Sequence, residues 1–181
     1  ADYWSNPADT ILVLTLAYPY LSTTLQQSLK TYLQSEFANY SPCSYTHIGW
    51  ATGAAREAYT LPPEMTADLA NHPASMWSTF DFDGWTGPDW KWTPHTFYAL
   101  WKYAQTFGNA ATIFNACKDR LWTPPADSIL AAYPFAHNAW IAGYTGYLEL
   151  QKLAGQSEDA TKRATLNRLL ALRASNFAKD N

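Results

Sequence analysis

The sequence predicts an all-α protein. In several segments apolar residues recur every three or four positions, a spacing that places them on one face of an α-helix. Outside positions 41–92, no stretch of six residues alternates apolar and polar side chains, so strands are not expected. We therefore expect one domain over positions 1–181, built from three helical hairpins at about 8–40, 94–122 and 134–178, with a long irregular insert between the first two.

The first hairpin is predicted from a helical pattern that ends near position 40. Its apolar residues lie three or four positions apart and would form one face of an amphipathic helix; they are Leu25, Leu29, Tyr32, Leu33, Phe37 and Tyr40. An apolar segment at about 8–19 precedes this helix and is interrupted by Pro19. We expect the two segments to pack together as the two arms of a hairpin.

The second hairpin has clear start and stop signals. Thr93 suits the N-cap position, Pro94 suits the first helical position, and Gly108 is expected to end the helix. Asn109 is then expected to cap the next helix. The side chains expected to be buried are Phe97, Leu100, Trp101, Ala104 and Phe107 on the first helix and Ala110, Ile113, Phe114, Cys117 and Leu121 on the second. Because the connection is so short, the two helices must be antiparallel neighbours.

The third hairpin pairs two helices of different character. The segment 134–154 is apolar on most of its circumference, and such a helix is normally surrounded by protein. Gly155 is expected to end it, and Ser157 is expected to cap a second, amphipathic helix. The apolar stripe of that second helix consists of Leu166, Leu169, Leu170 and Phe177. One buried and one half-exposed helix predict a concentric arrangement, with inner apolar helices surrounded by outer amphipathic ones.

The insert at 41–92 is too long and too aromatic for an ordinary loop. Nine prolines and glycines punctuate it, which leaves room only for short helices. Loops of this length inside a domain are usually functional or disordered, and the abundance of aromatic residues argues against disorder. The stretch "DFDGWTGPDWKW" at 81–92 concentrates large rings and acids. We expect these rings either to bind a ligand or to cover the core as a lid.

Charge and hydropathy exclude two classes of partner. The formal net charge is -3, and no basic run is present that would neutralise several phosphates, so nucleic acid is not an expected partner. No uncharged apolar stretch reaches the roughly 18 residues needed to cross a bilayer, so no membrane span is expected.

The two cysteines, Cys43 and Cys117, are far apart and lack the spacing of a zinc site. They would form one disulfide in an exported protein, or they are two small buried hydrophobic residues; we favour the second interpretation.

The helical segments resemble a known group of proteins. Repeated hairpins with motifs such as "HTFYALWKYAQTFG" at 95–108 and "NAWIAGYTGYLELQKLAG" at 138–155, joined by long aromatic and acidic loops, look like the α/α-toroid group of carbohydrate-active proteins. That group includes the six-hairpin glycosidases and several polysaccharide lyases. The resemblance implies a cleft at one end of the ring, lined by loops, that binds an extended glycan. Since three hairpins are predicted here, it implies a partial toroid or one piece of a larger polypeptide.

The insert carries the residues suited to such a cleft. Sugar rings present C–H faces that pack on flat aromatic surfaces, and their hydroxyl groups hydrogen-bond to carboxylates. The matching residues are Trp85, Trp90 and Trp92, with Asp81, Asp83 and Asp89 beside them. Alternatively, the rings cover the end of the helical array and the aspartates cap turns. The spacing of Asp81 and Asp83 is that of a calcium loop, but the later ligands are missing, so no metal site is expected.

Two kinds of chemistry fit these residues. Glycoside hydrolysis needs two carboxyl groups across the scissile bond, which the three aspartates and Glu64 offer. Arg56 either pairs with Glu57 to support the insert or binds a sugar carboxylate. Elimination on a uronic acid instead needs a base, a proton donor and a group that neutralises the carboxylate.

The elimination chemistry would use the helix at 134–154. His137 and Tyr144 are seven positions apart and therefore share a face of that helix, with Asn138 beside them. The alternative interpretation is that His137 is a hydrogen-bonded core residue. The remaining histidines, including His95, are expected to be solvated or to cap turns.

The sequence therefore favours a secreted or extracellular carbohydrate-active protein, similar to a glycoside hydrolase or a polysaccharide lyase. Its expected partner is a polysaccharide or oligosaccharide, and no cofactor is expected. The alternative is a non-catalytic extracellular structural or glycan-binding protein that self-associates through exposed aromatic residues.

Overall fold

The computed structural model of this chain describes residues 7–39, 41–43, 94–121 and 123–179. Within these ranges the backbone forms α-helices and short 3₁₀ turns and no strand, which confirms the all-α prediction for the described residues. The helices are α1 (Pro7–Ala17), α2 (Thr23–Asn39), α3 (Thr96–Phe107), α4 (Ala110–Cys117), α5 (Asp127–Ala132), α6 (Pro134–Leu153) and α7 (Ala160–Lys179). The 3₁₀ turns are Tyr18–Tyr20, after α1, and Lys118–Arg120, after α4. None of the described helices is both long enough and apolar enough to cross a bilayer.

Helices α1 and α3 pack side by side and run in the same direction. At their starts, Asp9 Oδ1 lies 2.9 Å from His95 Nε2. At their ends, the ring centroids of Tyr18 and Phe107 are 5.0 Å apart in an edge-on contact. The contact of α1 with α3 is far more extensive than its contact with α2. The expected pairing of α1 with its neighbour in sequence is therefore a minor contact, and α3 supplies the main surface on which α1 packs.

Helices α3 and α6 form the most extensive helix contact in the described part of the chain. Two glycines on α6 permit it: a Cβ atom on Gly143 would lie 2.6 Å from the carbonyl oxygen of Pro94, and one on Gly146 would overlap the backbone of Phe97 and Tyr98. Because the later glycine faces the later residues, α3 and α6 are parallel. The residues of α6 before Gly143 therefore project beyond the start of α3 by roughly 13 Å, at about 1.5 Å per residue.

Helices α4 and α7 return in the opposite direction. Gly108 and Asn109, with φ angles of 88° and 64°, reverse the chain between α3 and α4. Helix α7 is antiparallel to α6, because Leu169 contacts His137 near the start of α6 while Asp159, just before α7, bonds to Gln151 near its end. The short α5 was not expected from the sequence and packs against α6 and α7.

The core lies around α6, which packs against α3, α4, α5 and α7. The largest fully buried side chains include Ile11, Leu33, Phe97, Leu100, Leu130, Trp140, Leu150 and Leu169. Helix α6 is buried on most of its sides, as predicted. Helix α7 is half exposed, also as predicted. Of the four residues expected to form its buried face, however, only Leu166 and Leu169 are buried. Leu170 and Phe177 are 48% and 61% exposed, because the face of α7 toward α6 follows Leu166 and Leu169.

The glycine stop signals are confirmed, whereas two of the three predicted N-caps, Thr93 and Ser157, are wrong. Gly108 and Gly155 both end helices with positive φ angles. Helix α3 begins at Thr96, so Pro94 lies in the preceding turn and not at the first helical position, while Thr93 lies outside the described residues. Asn109 occupies the N-cap position of α4, but its left-handed backbone leaves its side chain without a capping hydrogen bond.

The cap of α7 is Asp159 and not Ser157. The Oδ1 atom of Asp159 accepts hydrogen bonds from the backbone N–H groups of Thr161 and Lys162, both at 3.0 Å. Hydrogen bonds from these N–H groups and from the Lys162 ammonium keep the pKa of this carboxyl below its ordinary value.

Cys43 and Cys117 form a disulfide, with their Cα atoms 5.0 Å apart. Both residues are buried. The expectation of two unpaired buried thiols is therefore wrong. The bond joins the segment that follows α2 to the last residue of α4, across a sequence separation of 74 positions.

Candidate functional site

The insert leaves and rejoins the described structure at one end of the helical array. Cys117 is the last residue of α4, and α4 runs antiparallel to α3, so the disulfide holds Cys43 toward the end where α3 begins. Pro94, just before α3, is buried where Gly143 permits close approach. Cys43, near the start of the insert, and Pro94, just after it, are thus both fixed at this end, which we call the insert end.

Most sequence-predicted site residues fall within positions 44–93 and lie outside the described residues. They are Asp81, Asp83, Asp89, Trp85, Trp90, Trp92 and Arg56. The remaining three, His137, Asn138 and Tyr144, lie on α6. His137 and Asn138 belong to the part of α6 that projects beyond the start of α3. The fold therefore brings these two residues to the same end as the attachment points of the insert.

His137 is completely buried, and its environment defines its protonation state. Its Nε2 atom lies 2.9 Å from the carbonyl oxygen of Leu169. Because a carbonyl can only accept, Nε2 carries the proton, and Nδ1 of the neutral ring is then an acceptor. No described residue donates to Nδ1. Burial lowers the pKa of His137, the hydrogen bond to Leu169 opposes this shift, and the charge of Arg173 adds to the lowering. The ring is therefore a neutral imidazole inside the protein.

Tyr144 shares a helical face with His137 but lies about 10 Å further along α6, at about 1.5 Å per residue. Its side chain is buried. Trp140 lies between the two residues, and its ring centroid is 6.3 Å from that of Tyr144. Burial, assisted by the charge of Asp159, raises the pKa of Tyr144 to about 12. The phenol therefore remains protonated at neutral pH, where it can donate a hydrogen bond but does not act as a base.

Asn138 is exposed, and its partner was not anticipated from the sequence. Its Oδ1 atom accepts a hydrogen bond from Nε of Arg173 on α7, at 3.2 Å. Two further donors on the same face of α7, Nη1 of Arg173 and Nδ2 of Asn176, are buried without an acceptor among the described residues. Helical spacing alone places positions 169, 173 and 176 on one face. The contact with Asn138 could be anticipated only by knowing that α7 packs antiparallel against the start of α6.

Arg173 differs from two other arginines of the last hairpin. Arg163 forms a two-point ion pair with Glu158, and Arg168 pairs with Asp127. Arg173 has no carboxylate partner among the described residues and contacts an amide instead. A guanidinium that lacks an acidic partner and has an adjacent amide is suited to bind a carboxylate or another anion.

A hydrogen-bonding contact between α1 and the residue before α3 also lies at the insert end. His95 Nε2 and Asp9 Oδ1 are 2.9 Å apart, and both side chains are partly exposed. The sequence interpretation of His95 as a solvated or turn-capping residue is incomplete, because its ring links two parallel helices. In the described part of the chain, no group of three or more His, Cys, Asp or Glu side chains could hold a metal ion.

Comparisons with known proteins add nothing to this geometry. No protein-family model, curated protein or solved structure matches the chain.

Proposed function

We propose that this chain is an extracellular carbohydrate-active protein that binds a polysaccharide at the insert end of its helical array. The observation that carries the proposal is the attachment of both ends of an aromatic and acidic insert at the end where Asn138 and Arg173 are paired. Indole rings and carboxylates are the groups that bind sugar faces and hydroxyls. A nearby guanidinium adds affinity for an acidic sugar.

The arrangement of the helices supports a partial α/α toroid. Helices α1, α3 and α6 lie in one parallel row, and α4 and α7 run back against that row. Parallel inner helices with antiparallel outer partners are what a concentric arrangement of hairpins requires. In this proposal the described helices form an arc of such a ring, and the two attachment points of the insert, Cys43 and Pro94, lie at one end of the arc.

The disulfide supports an extracellular location. Disulfides persist in oxidising compartments and are rare where thiols are kept reduced. The Cys43–Cys117 bond is buried and joins two segments that are distant in the sequence, so it is an integral part of the fold.

Burial favours hydrolysis by insert carboxylates over elimination by α6 residues. A catalytic group has to reach the sugar atom on which it acts, within hydrogen-bonding distance. His137 and Tyr144 are 0% and 4% exposed, so a polymer contacts neither side chain in this structure. We assign both residues to the core. Two carboxyl groups among Asp81, Asp83, Asp89 and Glu64 then serve as the acid and as the nucleophile or base.

The test is polysaccharide binding by wild type and by a Trp85→Ala/Trp90→Ala variant across a glycan array. The proposal expects loss of binding with little change in melting temperature. Tyr20→Ala is a matched control, because this aromatic side chain is 88% exposed and lies after the end of α1, away from the insert end. Release of reducing ends would identify hydrolysis, and new unsaturated-uronate absorbance would identify elimination. Equal binding by wild type and the double variant would show that Trp85 and Trp90 do not bind the polysaccharide.

A further inference from the structure

Asn39 begins a sequence triplet that the proposed function does not use. It is followed by Tyr40 and Ser41. An asparagine with a serine or threonine two positions later, and no proline between them, is the acceptor sequence for N-linked glycosylation. None of the other asparagines in the chain has a serine or threonine at that distance. The sequence therefore offers one position for this modification.

The structure leaves space for an oligosaccharide at Asn39. This residue is the last one of α2, and it is exposed. Its Nδ2 atom donates a hydrogen bond to Oγ of Ser35, one turn earlier, at 3.3 Å, and this contact is exposed as well. Tyr32, seven positions before Asn39 on the same face of α2, is 42% exposed, whereas the buried residue Leu33 lies on a different face. The side chain of Asn39 therefore points away from the core.

The second recognition group of the triplet, the hydroxyl of Ser41, lies beyond the end of α2. Its Oγ atom accepts a hydrogen bond from the backbone N–H of Cys43 at 3.2 Å. Positions 42 and 43 form a turn, so the triplet extends from the last residue of a helix to the start of a turn. A surface connection of this kind is where glycosylated asparagines are found in secreted proteins.

The disulfide is an independent observation that points to the same modification. Disulfides form in oxidising compartments such as the lumen of the endoplasmic reticulum, where asparagines are also glycosylated. Cys43 lies two positions after Ser41, and its partner Cys117 follows 74 positions later. Because the N-terminal part of a chain is synthesised first, the triplet is accessible before this disulfide can form. The inference rests on the extracellular location proposed above and not on polysaccharide binding.

We propose that Asn39 carries an N-linked oligosaccharide. The transfer forms a bond between Nδ2 of Asn39 and the anomeric carbon of an oligosaccharide that is carried on a lipid diphosphate. The bond between that carbon and the diphosphate oxygen breaks, the lipid diphosphate leaves, and one amide proton passes to a base of the transferring enzyme. Asn39 lies four positions before Cys43, and four extended residues span about 14 Å at most. The oligosaccharide is therefore attached close to the insert end.

The first experiment measures the mass of the full chain, produced behind a secretion signal in a eukaryotic cell, before and after treatment with peptide N-glycosidase. Wild type is expected to lose the mass of an oligosaccharide on treatment. The enzyme converts the modified asparagine to aspartate, so the mass of the peptide that contains position 39 identifies the site. Secreted, disulfide-bonded wild type that has the mass of the unmodified chain would overturn the proposal.

The second experiment repeats the measurement on variants, with thiol titration to verify the disulfide in each. Asn39→Gln and Ser41→Ala are each expected to abolish the mass change, whereas Ser41→Thr should retain it because threonine keeps the hydroxyl group. Asn167→Gln is the matched control, since Asn167 is an exposed helical asparagine without a serine or threonine two positions later, and its mass change should equal that of wild type. A mass change that persists in Asn39→Gln, or is lost in Ser41→Thr, overturns the proposal. Polysaccharide binding is measured separately on the glycan array, so either proposal can fail without the other.

Discussion

His137 links protonation to the stability of the fold at the scale of a single residue. Its pKa in the folded protein is lowered from 6.5, chiefly by burial. Folding therefore favours the neutral ring, and the contribution of this ring to stability is complete above pH 6.5. That contribution is lost as the pH falls below 6.5 through the lowered folded pKa, because the unfolded chain then binds a proton that the folded protein resists.

Replacing His137 should flatten this pH dependence. We expect the free energy of unfolding of wild type, measured with urea, to decrease between pH 7 and pH 5 more steeply than that of His137→Gln. Glutamine retains an N–H donor for the carbonyl of Leu169 and removes the titrating ring. His95→Gln is the control for a partly exposed histidine. Parallel curves for wild type and His137→Gln would contradict the assignment of a neutral buried ring.

Arg173 should determine the preference for acidic over neutral glycans. We expect Arg173→Gln to bind a uronate-containing polysaccharide about tenfold more weakly, since a hydrogen bond to a charged group contributes about 1.5–3 kcal/mol. Its binding of a neutral polysaccharide should change little. The matched control is Arg168→Gln on the same helix, whose guanidinium already pairs with Asp127. Equal losses for acidic and neutral polymers would exclude a role for Arg173 in recognising carboxylates.

The sequence predicts the helical positions of the site residues but not their contacts or their burial. His137 and Asn138 can be placed on one helix because helical spacing is local information. Their partners Leu169 and Arg173 lie 32 and 35 positions away, and only the packing of α7 on α6 brings them together. The burial of His137 is a tertiary property as well, so spacing alone cannot distinguish a catalytic histidine from a core histidine.

At the scale of the elements, the glycines of α6 control the distance between two parallel helices. We expect Gly146→Ala to lower the free energy of unfolding by about 2–3 kcal/mol, because the added methyl group overlaps the backbone of Phe97 and Tyr98 and forces α3 away. Gly155→Ala is the control: its φ of 72° is strained for alanine, but no atom lies within 4 Å of the added carbon. That strain should cost about 1–2 kcal/mol. A Gly146→Ala chain as stable as wild type would contradict the close approach.

Helix positions were predictable because amphipathic spacing is repeated over many residues, whereas the caps were not. Ser157 and Asp159 are both good capping residues, and the sequence does not choose between them. The choice depends on a tertiary contact, in which Gln151 Oε1 accepts a hydrogen bond from the backbone N–H of Asp159 at 3.0 Å. The pairing of α1 with α3 could not be predicted either, since α2 and the whole insert separate these helices in the sequence.

At the scale of the whole molecule, the disulfide joins the first hairpin to the second. We expect Cys43→Ser/Cys117→Ser to lower the free energy of unfolding by roughly 3–4 kcal/mol, because the unfolded chain regains the freedom of a long closed loop. Urea unfolding of the oxidised wild type and the double variant measures this difference. If reduction of wild type leaves the unfolding midpoint unchanged, the bond does not stabilise the fold.

Polysaccharide binding at the insert end can be measured by hydrogen exchange with and without a bound polymer. We expect slower exchange in peptides that cover the insert, the start of α3 near Pro94 and the start of α6 near His137. Exchange should be unchanged around Gly108 and Gly155, at the opposite end of the same helices. If exchange slows around these two glycines and does not slow at the insert end, the polysaccharide does not bind at the insert end.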